Sequence, residues 1–193
     1  MQCRAIILLT GMPGAGKSVF AEVARRSGFP VISLGDVIRE EVRKRGLKPT
    51  LENALKVANE LREKMGKEAV AKIALPKVLE SCKSNCIVIV DCIRSIEDVE
   101  TIKRGVSAKE YLIVAVHASP RTRFQRILNR GRQGDPRDFE EFKKRDFEEL
   151  SWGLGTVIAL ADVILVNEDT IEKFKLEVEK FLTMVHNKWC TSE

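Results

Sequence analysis

Several classes of site and segment are excluded by what this 193-residue sequence lacks. It has no run of 18 or more apolar residues, so no stretch has the length of a transmembrane helix. Its five cysteines show no C-x-x-C spacing and its two histidines, His117 and His186, are far apart, which argues against a zinc site. Glutamine is scarce while lysine, arginine and glutamate are abundant, a mixture often found in proteins of thermophiles.

The cysteines are expected to be structural. Cys3 and Cys92 lie at or beside apolar runs, where a thiol is most simply a small buried hydrophobe. A disulfide between Cys82 and Cys86 is a minor alternative that applies only to a protein of a hyperthermophile.

Length and composition describe one globular domain. Hydrophobic residues make up 44% of the chain and charged residues 32%, enough to bury a core and to solvate its surface. An apolar run begins almost at the N-terminus, where removal of a signal peptide would destroy a core strand. We therefore expect a cytoplasmic protein.

The stretch from Gly11 to Ser18 reads G-x-x-x-x-G-K-S and lies between an apolar run and a helical pattern. Strand, glycine-rich loop and helix in this order form the P-loop arrangement for phosphate. Backbone N–H groups of the loop and of the following helix face the anion. Lys17 is expected to reach the β- and γ-phosphates, and the Ser18 hydroxyl to bind Mg²⁺. The residues expected to bind ATP are Gly11, Met12, Pro13, Gly14, Ala15, Gly16, Lys17, Ser18 and Val19.

Five apolar runs separated by helical segments predict a buried parallel sheet. The runs are continuous rather than alternating, as in strands that are covered on both faces. The sequence therefore predicts an α/β P-loop NTPase fold with a five-stranded parallel sheet, helices on both faces, and ligands at the carboxyl ends of the strands. The predicted strands are Ala5–Thr10, Val31–Leu34, Cys86–Asp91, Tyr111–His117 and Asp162–Asn167.

The long helical region 35–83 exceeds what a simple crossover between strands needs. It is expected to be a helical insert over the sheet edge that holds a second substrate. Pro76 is expected to kink or divide one of its helices. Asn53, Asn59 and Arg62 lie along the insert, either solvating it or touching ligand.

Asp91 follows four apolar residues at the end of the third predicted strand. Beside a P-loop this pattern indicates a carboxylate that holds Mg²⁺, although an aspartate there can also simply cap the next helix. Arg94 lies at the same sheet edge, within reach of a transferring phosphoryl group.

The stretch 121–145 is expected to be a short arginine-rich lid. Six arginines (121, 123, 126, 130, 132 and 137) accompany a single acid, Asp135, between positions 121 and 137. Glycines and a proline predict a mobile loop with little apolar anchoring. The absence of lysine and of aromatic residues beyond Phe124 favours a clamp for phosphate groups over a nucleic-acid surface or a merely exposed basic loop.

With these motifs in place, the chain resembles the adenylate-kinase-type P-loop kinases, and most of all their archaeal adenylate-kinase-related nucleotide-binding proteins. The segment Ile32–Arg39 is similar to the family's monophosphate-binding segment, which implies that Gly35, Asp36 and Arg39 bind the acceptor. Asp91-Cys-Ile-Arg94 resembles the family's Asp-Gly-x-Pro-Arg, one residue short, which gives Arg94 a role on the acceptor. The resemblance also implies catalytic roles for the arginines at the lid entry, within the lid and after it. With Lys17 and Arg94, the implied catalytic residues are Arg123, Arg132 and Arg145.

The C-terminal strand region Ala161–Asn167 is instead similar to dephospho-coenzyme A kinases. Kinases acting on a hydroxyl need a base, and at the position after the second strand this chain has Ser33. We therefore expect a Mg²⁺-dependent transfer from ATP to a nucleoside monophosphate. The alternatives are a dephospho-coenzyme A-type kinase acting on a sugar hydroxyl, and a nucleotide-binding regulator or slow NTPase. The identity of the acceptor and the oligomeric state stay open.

Overall fold

A computed structural model describes residues 3–191 as a central sheet flanked by helices. The strands are β1 (Ala5–Thr10), β2 (Val31–Ser33), β3 (Ile87–Asp91), β4 (Glu110–His117) and β5 (Val163–Val166). The helices are α1 (Lys17–Arg26), α2 (Leu34–Lys44), α3 (Leu51–Met65), α4 (Ala69–Cys82), α5 (Ile96–Gly105), α6 (Pro120–Arg130), α7 (Phe139–Ser151), α8 (Leu154–Ala159) and α9 (Ile171–Cys190).

The five strands form one parallel sheet in the order β2-β3-β1-β4-β5. The central strand β1 pairs with β3 and β4 in a register that places Leu9 opposite Asp91 and Thr10 opposite Ala115. The carboxyl ends of these strands therefore meet at one edge, where the P-loop begins. The predicted fold and all five strands are confirmed, with boundaries that differ by one residue at an end in four of them.

Both faces of the sheet are covered, as the continuous apolar runs predicted. Ile6 and Leu8 face a core shared with α2, α4 and α5, whereas Ile7 and Leu9 face a core shared with α1 and α9. Alternation of side chains along the strand produces these two layers. Among residues 3–191, no helix is both long enough and apolar enough to cross a bilayer.

The predicted insert is smaller than region 35–83. Helix α3 packs on α2 and α4, while α4 also packs on β2 and β3 and so belongs to the main body. Pro76 lies inside α4, which runs unbroken from Ala69 to Cys82, so the expected division of this helix is wrong. The separate arm is therefore α3 with the loop before it.

The disulfide in the structure is not the Cys82–Cys86 pair that the sequence offered as a minor alternative, and Cys82 is a free thiol. Cys86 is joined to Cys190 at the end of α9, with a Cα–Cα distance of 6.0 Å. Cys82 and Cys86 pack in the cores on opposite faces of the sheet, which keeps their thiols apart although they are close in sequence. Cys3 is buried as predicted and its thiol hydrogen-bonds with that of Cys82.

Candidate functional site

The P-loop joins β1 to α1 and follows a backbone path that only glycine can adopt at its key positions. Gly11 and Gly16 have φ values of 141° and 118°. A Cβ atom on Gly11 would lie 2.3 Å from the Val116 carbonyl oxygen, and one on Gly16 would lie 2.2 Å from Nδ2 of Asn167. Close packing on the neighbouring strand ends therefore requires glycine, independently of any phosphate.

Lys17 folds back over the loop that would receive the phosphates. Its Nζ donates to the carbonyl oxygens of Gly11 and, at 3.3 Å, of Met12. Burial lowers the pKa of Lys17, and the neighbouring Cys92 and Asp91 act in the opposite direction. A triphosphate would offer this ammonium a stronger partner than the two carbonyls.

Arg123 lies beneath the P-loop rather than over it. Its side chain is 4% exposed and forms a two-pronged ion pair with Asp146, with N–O distances of 2.8 and 2.6 Å. The same guanidinium donates to the carbonyl oxygens of Pro13 and Ala118, each at 3.1 Å. These contacts make Arg123 a strut that fixes the loop, and the catalytic contact implied for it by resemblance stays a prediction.

A second strut comes from the loop after β5. Asn167 is buried, and its Nδ2 donates to the Ala15 carbonyl oxygen at 2.8 Å. Arg126 in turn donates to the backbone oxygens of Asn167 and Asp169, at 2.8 and 3.3 Å. Arg126 therefore joins the β5–α9 loop instead of the lid cluster in which the sequence placed it.

Two oxygen ligands suited to Mg²⁺ lie beside Lys17. The Ser18 side chain is exposed at the start of α1, and Asp91 ends β3 with its carboxylate accepting from the Cys92 N–H at 2.6 Å. Burial raises the pKa of Asp91, while the nearby Lys17 ammonium lowers it. Among residues 3–191 no group of three or more His, Cys, Asp or Glu side chains could enclose a metal. The two groups fit a Mg²⁺ that takes its other ligands from phosphates and water.

Arg94 is held at the sheet edge by Glu149 of α7. Its Nε donates to Glu149 Oε2 at 2.7 Å, and its backbone N–H donates to Asp98 at 3.1 Å. Burial would raise the pKa of Glu149, but Arg94 outweighs it and the pKa is lowered. Burial acts to lower the pKa of Arg94, but the Glu149 carboxylate outweighs burial and the pKa is raised. The guanidinium is thus kept charged beside the phosphoryl-transfer position.

Next to Arg94 and the P-loop lies a cavity of about 400 Å³. Its walls come from α2, α3, the ends of α5 and α7, and the loop after α6. The volume suits a small organic ligand. Six arginines line it, namely Arg39, Arg62, Arg94, Arg130, Arg132 and Arg145. An anionic ligand is the chemistry that this lining favours.

The lid is fastened by Asp135, the single acid in its arginine-rich sequence. Asp135 accepts two hydrogen bonds of 2.7 Å from Arg130, one of 3.1 Å from Arg145 and one of 3.2 Å from the Arg132 N–H. Burial would raise its pKa, but the arginines lower it. The expected mobility of this loop stays a prediction, and in the structure these ion pairs join it to Arg130 of α6 and Arg145 of α7.

Apolar contacts also hold the lid at both ends. At its base, Phe124, Phe139 and Phe142 form a ring cluster with centroids 5.4 to 5.6 Å apart. At its tip, a Cβ on Gly134 would lie 2.8 Å from Cβ of Leu51 in the first turn of α3. The lid thus rests directly on the arm, across the mouth of the cavity.

On the acceptor side, Gly35 and Arg39 line the cavity, and Asp36 does not. Asp36 instead pairs with Arg39, whose Nε donates to its carboxylate at 3.0 Å. Both side chains are more than half exposed, so an anion can displace Asp36 at little cost.

The structure therefore brings Lys17, Asp91 and Arg94 together, and Arg94 lines the same cavity as Arg132 and Arg145. Sequence reasoning missed the residues that hold these arginines. They are Asp98, Asp146, Glu149 and Trp152, together with the role of Asp135. For Asp146 and Glu149, the only sequence signal was the number of acids spaced along α7, and such a pattern equally describes a solvated helix face.

Comparison with known proteins agrees with this geometry. Residues 10–143 match the model of a family described as an AAA domain. The UPF0200 protein TK1334 of Thermococcus kodakarensis is 44% identical over 183 residues, covering 95% of this chain and 99% of that protein. A UPF0200 protein of Hyperthermus butylicus is 49% identical over 180 residues, covering 93% of this chain and 94% of that protein.

Solved structures share the fold at low sequence identity. TT1252 from Thermus thermophilus has a TM-score of 0.64 at 18% identity, covering 95% of this chain and 98% of its own. Shikimate kinase from Bacteroides thetaiotaomicron has a TM-score of 0.58 at 19% identity, covering 93% of this chain and 98% of its own. A gluconokinase from Sinorhizobium meliloti has a TM-score of 0.56 at 19% identity, covering 100% of both chains.

The relatives come from thermophilic archaea, and the structural neighbours that share the fold include kinases. The special likeness to adenylate kinases stays a prediction. The chain belongs to the UPF0200 family and to the family described as an AAA domain, and it has the fold of P-loop kinases.

Proposed function

We propose that this chain is a Mg²⁺-dependent phosphotransferase that moves the γ-phosphoryl group of ATP to a nucleoside monophosphate. The observation that carries the proposal is the cavity of about 400 Å³ with six arginines in its wall, one of which, Arg94, lies close enough to Lys17 to affect its pKa. It lies where a second substrate must lie to meet a γ-phosphate held by the P-loop. Its charge suits an acceptor that is itself a phosphate.

The carboxylates around the cavity support a phosphate acceptor over a hydroxyl acceptor. A hydroxyl must lose a proton, which calls for a free carboxylate near the reacting oxygen. The residue at the end of β2 is Ser33. Glu149 is paired with Arg94, and Asp135 with Arg130 and Arg145. Asp98, the third carboxylate in the wall, accepts from the Arg94 N–H through one oxygen, and its other oxygen has no partner among the described residues. We assign that oxygen to the acceptor's base rather than to its reacting oxygen, so none of the three carboxylates is proposed as the general base. A phosphate oxygen is already anionic and needs no such base.

In this mechanism the protein positions groups and neutralises charge. The loop amides and Lys17 hold the β- and γ-phosphates, and Arg94 orients the acceptor phosphate from the sheet edge. Ser18 and Asp91 would hold Mg²⁺, which would supply positive charge to offset that of the phosphates. Arg132 and Arg145 cover the transferring group and, with the lid resting on the arm, exclude the water that would hydrolyse ATP.

The test is phosphoryl transfer from labelled ATP to a panel of acceptors: AMP, CMP, UMP, GMP, dephospho-coenzyme A, shikimate, gluconate, and none. A labelled nucleoside diphosphate is the expected product. Labelled coenzyme A, or a phosphorylated sugar acid, would overturn the phosphate-acceptor argument. Free phosphate alone would identify a nucleotide sensor or slow NTPase.

Arg132→Ala separates a catalytic arginine from one that only binds. We expect kcat to fall about 100-fold or more, as when a group that stabilises charge in the transition state is removed. The dissociation constant for ATP should change far less, because Arg132 lies on the acceptor cavity. Arg121→Ala is the matched control: this arginine is exposed on α6 and does not line the cavity. Equal losses of turnover and of ATP affinity in Arg132→Ala would contradict the assigned role.

A further inference from the structure

One part of the cavity wall is built around Trp152. The guanidinium of Arg62 lies 4.6 Å from the centre of the Trp152 ring, and that of Arg94 lies 5.6 Å from it. The aromatic face stabilises both cations at close range. The two arginines nevertheless repel each other, and burial together with Arg94 lowers the pKa of Arg62. The charged form of the Arg62 guanidinium is therefore destabilised at this position of the wall, both by burial and by Arg94.

In the wall of the same cavity, three buried polar atoms have no partner among the described residues. They are Nη1 of Arg62, Oδ1 of Asp98 and Nε of Arg145. The first two carry opposite charges. Asp98 is only 1% exposed, and its other oxygen accepts from the Arg94 N–H. The two side chains attract each other electrostatically, yet no ion pair or hydrogen bond joins them within the described chain.

An arrangement of this kind is costly unless something completes it. A buried polar atom without a partner costs about 1–3 kcal/mol, and more when it is charged. Here a donor and an acceptor of opposite charge are held apart in the wall of one cavity. A ligand group that accepts from the arginine and donates to the carboxylate would satisfy both at once.

We propose that Arg62 and Asp98 bind the edge of a planar nitrogen heterocycle carried by the acceptor, an edge on which a hydrogen-bond donor lies next to an acceptor atom. This inference rests on the proposed function and deepens it, because it states how the acceptor's base is recognised. Oδ1 of Asp98 accepts from a ring or exocyclic N–H, and Nη1 of Arg62 donates to the neighbouring nitrogen or oxygen.

The rest of the wall fits a flat ring. Between the arginines, the cavity is lined by small and branched apolar side chains of α2, α3 and α4, including Ile38, Ala54, Ala58 and Val70. A ring buries its faces against such a surface while its edge meets polar groups. A polyhydroxylated acid would leave its hydroxyls facing these side chains, and its carboxylate would meet Asp98 with like charge.

The experiment compares two acceptors that differ only at the proposed contact. Purine riboside 5′-monophosphate keeps the ring, the sugar and the phosphate of a natural purine nucleotide but has no N–H donor on its base. For wild type, kcat/KM for the preferred natural monophosphate should exceed that for this analogue by about 10- to 100-fold, the value of a hydrogen bond to a charged group. In Asp98→Ala this ratio should fall close to 1. Glu100→Gln, an exposed site on the same helix, should keep the wild-type ratio.

A binding measurement protects the test against a damaged active site. Trp152 and Trp189 are the only tryptophans in the chain. In a Trp189→Phe background, Trp152 fluorescence reports directly on the proposed wall. Natural monophosphates should change this signal and bind more weakly to Arg62→Met, which keeps a similar length without the charge.

The outcomes distinguish this inference from the function on which it rests. If no monophosphate is phosphorylated, the proposed function fails. If monophosphates are phosphorylated but wild type does not discriminate against the analogue, this inference fails and the function stands. A ratio unchanged in Asp98→Ala would also overturn it, since Asp98 would then only cap α5.

Discussion

Removal of Arg123 tests whether this residue is a structural strut or a catalytic group. The sequence resemblance implies that it acts on the transferring phosphoryl group, whereas the structure buries it beneath the P-loop. Its guanidinium joins Asp146 on α7, Pro13 in the P-loop and the Ala118 carbonyl. We expect Arg123→Ala to lower stability and ATP affinity together, because the loop would lose its support.

The size of the effect follows from the burial of the pair. The side chains of Arg123 and Asp146 are 4% and 14% exposed, so removal of either leaves the other charge in the interior without its partner. Breaking such a pair costs about 3–5 kcal/mol. For a domain of this size, each kcal/mol shifts Tm by about 2–4 °C, so Tm should fall by roughly 6–20 °C.

Thermal unfolding followed by circular dichroism, with and without saturating Mg-ATP, measures both effects. Asp146→Ala should reproduce the loss of stability and of ATP affinity seen in Arg123→Ala. Arg26→Ala is the control, since it breaks an exposed pair with Glu22 that contributes about 1 kcal/mol or less. An Arg123→Ala protein with wild-type Tm and ATP affinity but strongly reduced kcat would refute the strut and support the catalytic role.

Three further changes test other features. Cys190→Ser should lower the free energy of unfolding by about 2–4 kcal/mol, because the Cys86–Cys190 bond spans 104 positions; denaturant unfolding measures this, and a reductant that leaves wild-type stability unchanged would contradict it. Glu149→Gln should flatten the acid side of the stability–pH curve. Arg94 lowers the pKa of Glu149 below its ordinary 4.5, so the stability from this pair is present above about pH 4.5 and lost as the pH falls through the folded-state value; an equally steep acid limb in the variant would disprove the assignment. Cys92 has a φ of 67°, so Cys92→Val should be less stable than Cys92→Gly by about 1–2 kcal/mol in chemical unfolding, and equal stability of the two would show that the backbone relaxes.

The sheet and the P-loop could be predicted because their signals are local. Each strand is a continuous apolar run, and the loop is a short motif whose glycines, Lys17 and Ser18 are adjacent in sequence. The small errors lie at element ends, as at Leu34, where an apolar residue that could extend β2 begins α2 instead.

The partners of the arginines could not be predicted, because they depend on which helix face turns inward. Glu149 lies in a helix rich in charge, and nothing in the sequence separates it from the half-buried Glu148 or the exposed Glu140. Cys190 was likewise hidden, since it meets Cys86 only after α9 has crossed the sheet. Sequence reasoning identified the cations that would meet phosphate and missed the anions that hold those cations in place.

The contact between Gly134 and Leu51 has a consequence for the timing of turnover. Because there is no room for a side chain at position 134, the lid and the arm pack directly against each other. In the proposed reaction, an opening that separates the lid from α3 would also have to break the Asp135 ion pairs or their neighbours. If this opening is slower than the transfer step, the turnover of the proposed reaction should fall as solvent viscosity rises.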